Sequence, residues 1–131
     1  NYCKVICIEA LTMDEMVRKD IIPAAYTYLK RLTETAVAVK SVCPELDCAM
    51  EINMIKKLRT LTDSLYANVN KLDKTIEEVP AQDSELKQAC YYRDEVIPIM
   101  DELRKAADKI ERFVGEKYWP YPTYGDLLFS L

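Results

Sequence analysis

The apolar positions of this chain recur at steps of three and four residues over most of its length, the spacing of one face of an α-helix. Ile22, Ala25, Leu29, Leu32, Ala36 and Val39 form one such stripe, and Cys43-Pro44 ends it because the residue before a proline is pushed out of the helical region. Thr12 followed by Glu15 has the capping-box form, so a first helix is predicted over about 12–42. Pro23 removes a backbone donor inside it and predicts a kink or a restart there. The run ahead of Thr12, with Val5, Ile6 and Ile8, reads as a short strand or an extended lead-in and is too short to decide.

A second stripe is the most regular. Ile55, Leu58, Thr62, Leu65, Val69, Leu72, Ile76 and Val79 alternate steps of three and four without a miss, predicting a helix over about 46–79. At 1.5 Å per residue it would be roughly 50 Å long and needs an equally long partner. That partner follows the breaker and cap residues Pro80, Asp83 and Ser84. Ala89, Arg93, Val96, Met100, Leu103, Ala107, Ile110 and Val114 repeat the rhythm to Gly115, giving a helix over about 84–115 with a kink at Pro98. A short loop between two long amphipathic helices implies an antiparallel hairpin, and the first helix covers its seam. The predicted fold is all-α: one antiparallel three-helix, up-down-up bundle built on a long helical hairpin.

Residues 116–131 differ in character. Tyr118, Trp119, Tyr121, Tyr124 and Phe129 are crowded there, and Pro120 and Pro122 forbid regular helix, so an extended aromatic tail is predicted. Rings of this size bury well while their polar atoms seek partners, which favours docking on the bundle or on a neighbouring domain. Tyr118, Trp119, Pro120, Tyr121, Tyr124, Leu127, Leu128 and Phe129 are therefore the structural or interface candidates. A proline-rich aromatic segment can also serve as a ligand for a groove on another protein.

Composition narrows the chemistry. The 131 residues amount to one domain, and two glycines stand where average usage would give about nine, leaving little material for hairpins or phosphate-binding loops. No stretch approaches ~20 apolar residues and no secretory leader is visible, so the expected address is the cytoplasm, with no membrane partner. A net charge of -4 argues against nucleic acid, and Lys56, Lys57 and Arg59 read as a solvated helix face. Histidine is absent, which excludes Ser-His-Asp and Cys-His catalysis and every His-containing metal set. The five cysteines, Cys3, Cys7, Cys43, Cys48 and Cys90, lack zinc-ribbon spacing and are expected as reduced, mostly buried thiols.

Asp94-Glu95 and Asp101-Glu102 lie one heptad apart and read as a hydrated acidic face, because bundle metal sites of the di-iron type need histidines. Asp14, Glu15, Asp83 and Glu85 sit near predicted helix starts, where they complement the helix dipole. Ser64 and Ser84 have no activating base in view. Arg93 falls on the apolar stripe and is expected to pair with an acid across the bundle or to snorkel at the core edge. No residue is assigned to catalysis, cofactor or metal.

Two blocks carry a family likeness. YWPYPTYGDLLF, from Tyr118 to Phe129, and IEALTMDEMVRKDIIPA, from Ile8 to Ala24, together resemble the C-terminal region of type III glutamine synthetase. The hairpin between them is similar by pattern, so the resemblance spans essentially the entire chain. It implies a bacterial parent enzyme that joins ammonia to glutamate, consumes ATP with Mg²⁺ or Mn²⁺, and assembles as a dodecamer of two hexameric rings. The parent's metal, nucleotide and glutamate motifs match no position here, so the resemblance implies no catalytic residue and no cofactor in this segment. A start on Asn rather than Met is expected of a piece of a longer chain. The implied partners are the catalytic domain of the same chain and neighbouring subunits, and the implied role is packing and assembly. The alternative from another class is a free-standing helical coiled-coil interaction module without enzymatic activity.

Overall fold

The computed structural model describes residues 1–115 and 118–122, and all regular structure among them is helical. Three rods lie side by side. The first consists of α1 (Tyr2–Met16), a π-helical segment (Val17–Ile21) and α2 (Ile22–Val42). The second is α3 (Ala49–Glu77), and the third joins α4 (Glu85–Tyr91), a second π segment (Tyr92–Val96) and α5 (Ile97–Phe113). A short 3-10 turn, Val79–Ala81, carries Pro80 between the last two.

The rods alternate in direction, as the stripes predict. Arg18 meets Asn70 and Asp73, while Ala36 meets Cys48, so the first two rods are antiparallel. Tyr91 reaches back to Glu78, so the third reverses again. Leu58, Leu65, Val69 and Leu72 from α3, Val96, Leu103 and Ile110 from the third rod, and Ala10, Val17 and Ala25 from the first fill one continuous core. α3 supplies its central seam. That is why its stripe is the most regular: it faces partners on both sides.

The first helix begins ten residues earlier than the capping box suggests. Asn1 is the cap, its Oδ1 accepting from the backbone N–H of Lys4 at 3.3 Å, and Thr12 and Glu15 lie mid-helix. Neither Gly nor Pro interrupts residues 2–22. The β-branched residues Val5, Ile6 and Ile8 cost only a few tenths of a kcal/mol each in helix propensity, and packing of Ile6 and Ala10 on the core outweighs that. The second helix starts at Ala49 rather than near Leu46 because Cys48 adopts a left-handed conformation, φ 52°, that no helix can run through. The third ends at Phe113 as Val114 turns extended.

Pro23 and Pro98 do not break their rods. Each is the second residue after a π segment, and in each the preceding N–H bonds five residues back, Ile22 to the Val17 carbonyl and Ile97 to the Tyr92 carbonyl. A proline ring collides with the carbonyl four residues before it. The wider π turn holds that carbonyl, of Lys19 or Asp94, inside the altered stretch. The local sequences are near copies, Arg-Lys-Asp-Ile-Ile-Pro and Arg-Asp-Glu-Val-Ile-Pro. The second π turn also corrects the expectation for Arg93. Tyr92 and Val96 enter the core, whereas Arg93 is exposed and folds onto its neighbour Asp94 at 2.8 Å, with no acid across the bundle among the described residues.

Candidate functional site

The aromatic segment folds back on the first rod. After Gly115 the chain turns, with the Tyr118 N–H donating to the Gly115 carbonyl at 2.8 Å. The Tyr118 ring then packs on Tyr28 of α2 with centroids 5.6 Å apart. Trp119 and Tyr121 meet edge to face at 6.3 Å, and the Tyr121 hydroxyl donates to Asp20 at 2.7 Å. Burial, and then this bond to an anion, push the Tyr121 phenol up to about 12. All three rings are half-buried against the core, while Pro120 is exposed. Tyr124, Leu127, Leu128 and Phe129 lie outside the described residues.

Asp20 belongs to the first π segment, and so does Arg18, which faces the opposite way. Its Nε donates to Asp14 at 3.1 Å, and its Nη2 donates to Asn70 at 2.9 Å and to Asp73. One arginine thereby ties the π segment to α3. Among the described residues no donor reaches the buried Oδ2 of Asp14. The facing Asp73 carboxylate accepts from it when Asp14 carries a proton. Burial first, then that hydrogen bond and the charge of Asp73, raise Asp14 to about 6 against the pull of Arg18. Asp14 therefore holds its proton to higher pH than an ordinary carboxyl does. The π segment is thus gripped from both sides, by Tyr121 at Asp20 and by α3 at Arg18.

An apolar groove of about 420 Å³ runs beside it between α1 and α5, walled by Ile8, Met13, Met16, Ile21, Met100 and Leu103. Ile8 is 58% exposed, and Tyr2, Val5 and Leu11 extend the uncovered apolar surface along α1. These residues leave a contiguous apolar surface along one side of α1.

The remaining sequence candidates do not converge. Asp94, Asp101 and Glu102 each hold a neighbouring cation, Arg93, Arg104 and Lys105, and no three His, Cys, Asp or Glu side chains come together as a metal set among the described residues. Ser84 caps α4, accepting from the Lys87 N–H at 3.1 Å, and Ser64 receives the Asn68 amide. The thiols are free, but only Cys48 is buried; the others are half-buried, which corrects the expectation of mostly buried cysteines, because they lie on the margins of the stripes. Tyr92 is the sequence's missed core aromatic. Burial, and then its hydrogen bond with Cys7, push its phenol up to about 12.

Residues 1–40, which contain α1, the π segment and most of α2, match the family described as glutamine synthetase C-terminal domain. Over 131 residues the chain is 40% identical to a glutamine synthetase of Butyrivibrio fibrisolvens, covering all of this chain and 19% of the relative. It is 29% identical to a type-3 glutamine synthetase of Dictyostelium discoideum and 23% identical to a glutamine synthetase of Bacteroides fragilis, covering 98% and 99% of this chain and 18% of each relative. The chain thus spans about a fifth of the length of these relatives. Among the described residues no helix is long and apolar enough to cross a membrane. The chain is thus similar over residues 1–40 to the glutamine synthetase C-terminal domain family and over its whole length to about a fifth of a glutamine synthetase.

Proposed function

We propose that this chain is the non-catalytic structural and assembly domain, a single helical unit, of a bacterial type III glutamine synthetase. The parent is a cytoplasmic enzyme that ligates ammonia to glutamate at the expense of ATP with Mg²⁺ or Mn²⁺. It works as a dodecamer of two hexameric rings. ATP and metal bind in the catalytic domain, and the present segment turns over nothing alone. The aromatic segment, Tyr118, Trp119, Pro120 and Tyr121 with Tyr124, Leu127, Leu128 and Phe129, holds the base of the bundle against the catalytic body of the same chain and against neighbouring subunits.

The observation that carries this reading is the pairing of two surfaces at one place. The aromatic segment clasps the π segment inside the family-matched residues 1–40, and beside it an apolar groove stands uncovered. Burying such a groove stabilises by ~25 cal/mol per Å² removed from water, which is the driving force for seating it on a larger body.

The test is Trp119→Ala/Tyr121→Ala in the full-length protein. Sedimentation should show weakened assembly, or calorimetry a lower melting temperature, while the dissociation constant for ATP changes less than twofold by the logic of surface separation. A lost nucleotide affinity in an intact oligomer overturns the proposal.

A further inference from the structure

Of the seventeen arginines and lysines among the described residues, eight sit in ion pairs, Arg18, Lys19, Lys30, Arg59, Lys87, Arg93, Arg104 and Lys105, and nine do not. A different arrangement occurs where α5 ends against α3. Lys56 and Lys57 from α3 and Lys109 and Arg112 from α5 surround one groove of about 540 Å³, and Thr60, Leu61 and Phe113 line it with them. None of these four cations has an ion-pair partner among the described residues, in a chain whose net charge is -4. Arg59, between the two pairs in sequence terms, turns to Asp63 at 2.9 Å and takes no part.

Four unpaired cations held around an apolar wall repel one another and are stabilised by a compact anion. The footprint is short. Residues 56–61 of α3 and 109–113 of α5 each span only about 8 Å of helix at 1.5 Å per residue, too little for a peptide helix or a nucleic-acid track. A volume of about 540 Å³ lies within the range of small-molecule sites. Leu61, Phe113 and the alkyl stems of the lysines offer a flat apolar group a surface, and an aromatic ring a partner for stacking. We infer that this groove between α3 and α5 binds a small organic anion with several negative charges and a flat apolar portion, of the nucleoside diphosphate class. Phosphates would meet Lys56, Lys57, Lys109 and Arg112, with the base against Phe113 and Leu61.

Isothermal titration of the 131-residue chain with ADP, with pyrophosphate and with adenosine separates the two halves of the site. ADP should bind saturably and roughly tenfold more tightly than either part, and its binding should weaken about tenfold in Lys109→Glu/Arg112→Glu. Lys56→Gln/Lys57→Gln should give a smaller loss in the same direction. The control Lys71→Glu/Lys74→Glu makes the same charge change at exposed lysines outside the groove and should shift binding less than about twofold. Circular dichroism melts confirm that each variant is folded. Absence of saturable ADP binding up to about 1 mM, equal losses in the groove and control variants, or pyrophosphate binding as tightly as ADP would each overturn the inference.

Discussion

The base of the molecule and its distal arm are made from the same kind of stripe but end up in different physical states. In the base, α3 is flanked by both other rods, and Leu58, Leu65, Val69, Leu72 and Leu103 are fully enclosed. The third rod stops at Phe113, level with residues 56–61 of α3, so the ends of α2 and α3 continue as a two-helix arm. There Leu32 is the one buried α2 side chain, Ala36 and Val39 are half-buried, and Val42, Val37 and Met50 are 81%, 69% and 67% exposed. A helix pair buries one stripe each, whereas a third helix closes the seam. The arm therefore draws its stability from the base, and opens locally at lower cost.

The sharpest way to break this contrast is truncation. Leu65→Ala or Leu103→Ala should lower the unfolding free energy by about 3 kcal/mol, the range for enclosed leucines, while Val37→Ser in the arm should change it by less than about 0.5 kcal/mol. Similar losses at the two places in denaturant titrations would erase the distinction.

The next effect probes how the base is clamped. Asp14 has a folded value of about 6, above its ordinary 3.8, so between those values the folded state keeps a proton that the unfolded chain has released. Its contribution is complete below about pH 4 and is lost as the pH rises through about 6. Asp14→Asn cannot ionise. Its stability relative to the unmodified chain should therefore rise between pH 4 and 7, by about 1 kcal/mol once partial exposure is discounted. Parallel pH profiles for the two proteins would show that folding does not raise Asp14.

Smallest is the grip of the aromatic segment. Tyr121→Phe keeps the ring against Trp119 and removes the bond to Asp20, at a cost of about 1 kcal/mol or less. A thermal melt unchanged in Tyr121→Phe but lowered in Trp119→Ala would assign the docking to apolar burial alone.

Rods and directions were legible because hydrophobic spacing reports burial directly: of the eight α3 stripe positions, Leu58, Leu65, Val69, Leu72 and Val79 are buried and Ile55, Thr62 and Ile76 are half-buried. Two prolines marked the irregular places but not their form, since a π turn is a choice among helical hydrogen-bond patterns that side-chain spacing barely registers. Side-chain spacing alone therefore puts Arg93 rather than Tyr92 on the inner stripe, and the π turn reverses the two. The start of α1 is hidden in the sequence because a capping box inside a helix looks like one at its end. Of the candidate site, the aromatic composition was visible while its target was not: Asp20 and Tyr28 lie about a hundred residues away and no local rule links them. The cation groove was invisible for the same reason, with Lys56 and Lys57 evident and their counterparts on α5 supplied only by the fold.

The paired π turns carry a consequence for how such rods tolerate changes in length. An ordinary helix that gains one residue rotates everything beyond it by about 100°, turning inward side chains outward. A π turn absorbs one residue as a local bulge, so α1 and α2, or α4 and α5, keep their aim on either side of it. Drift in residue number at these two places is decoupled from the angular phase of the buried faces.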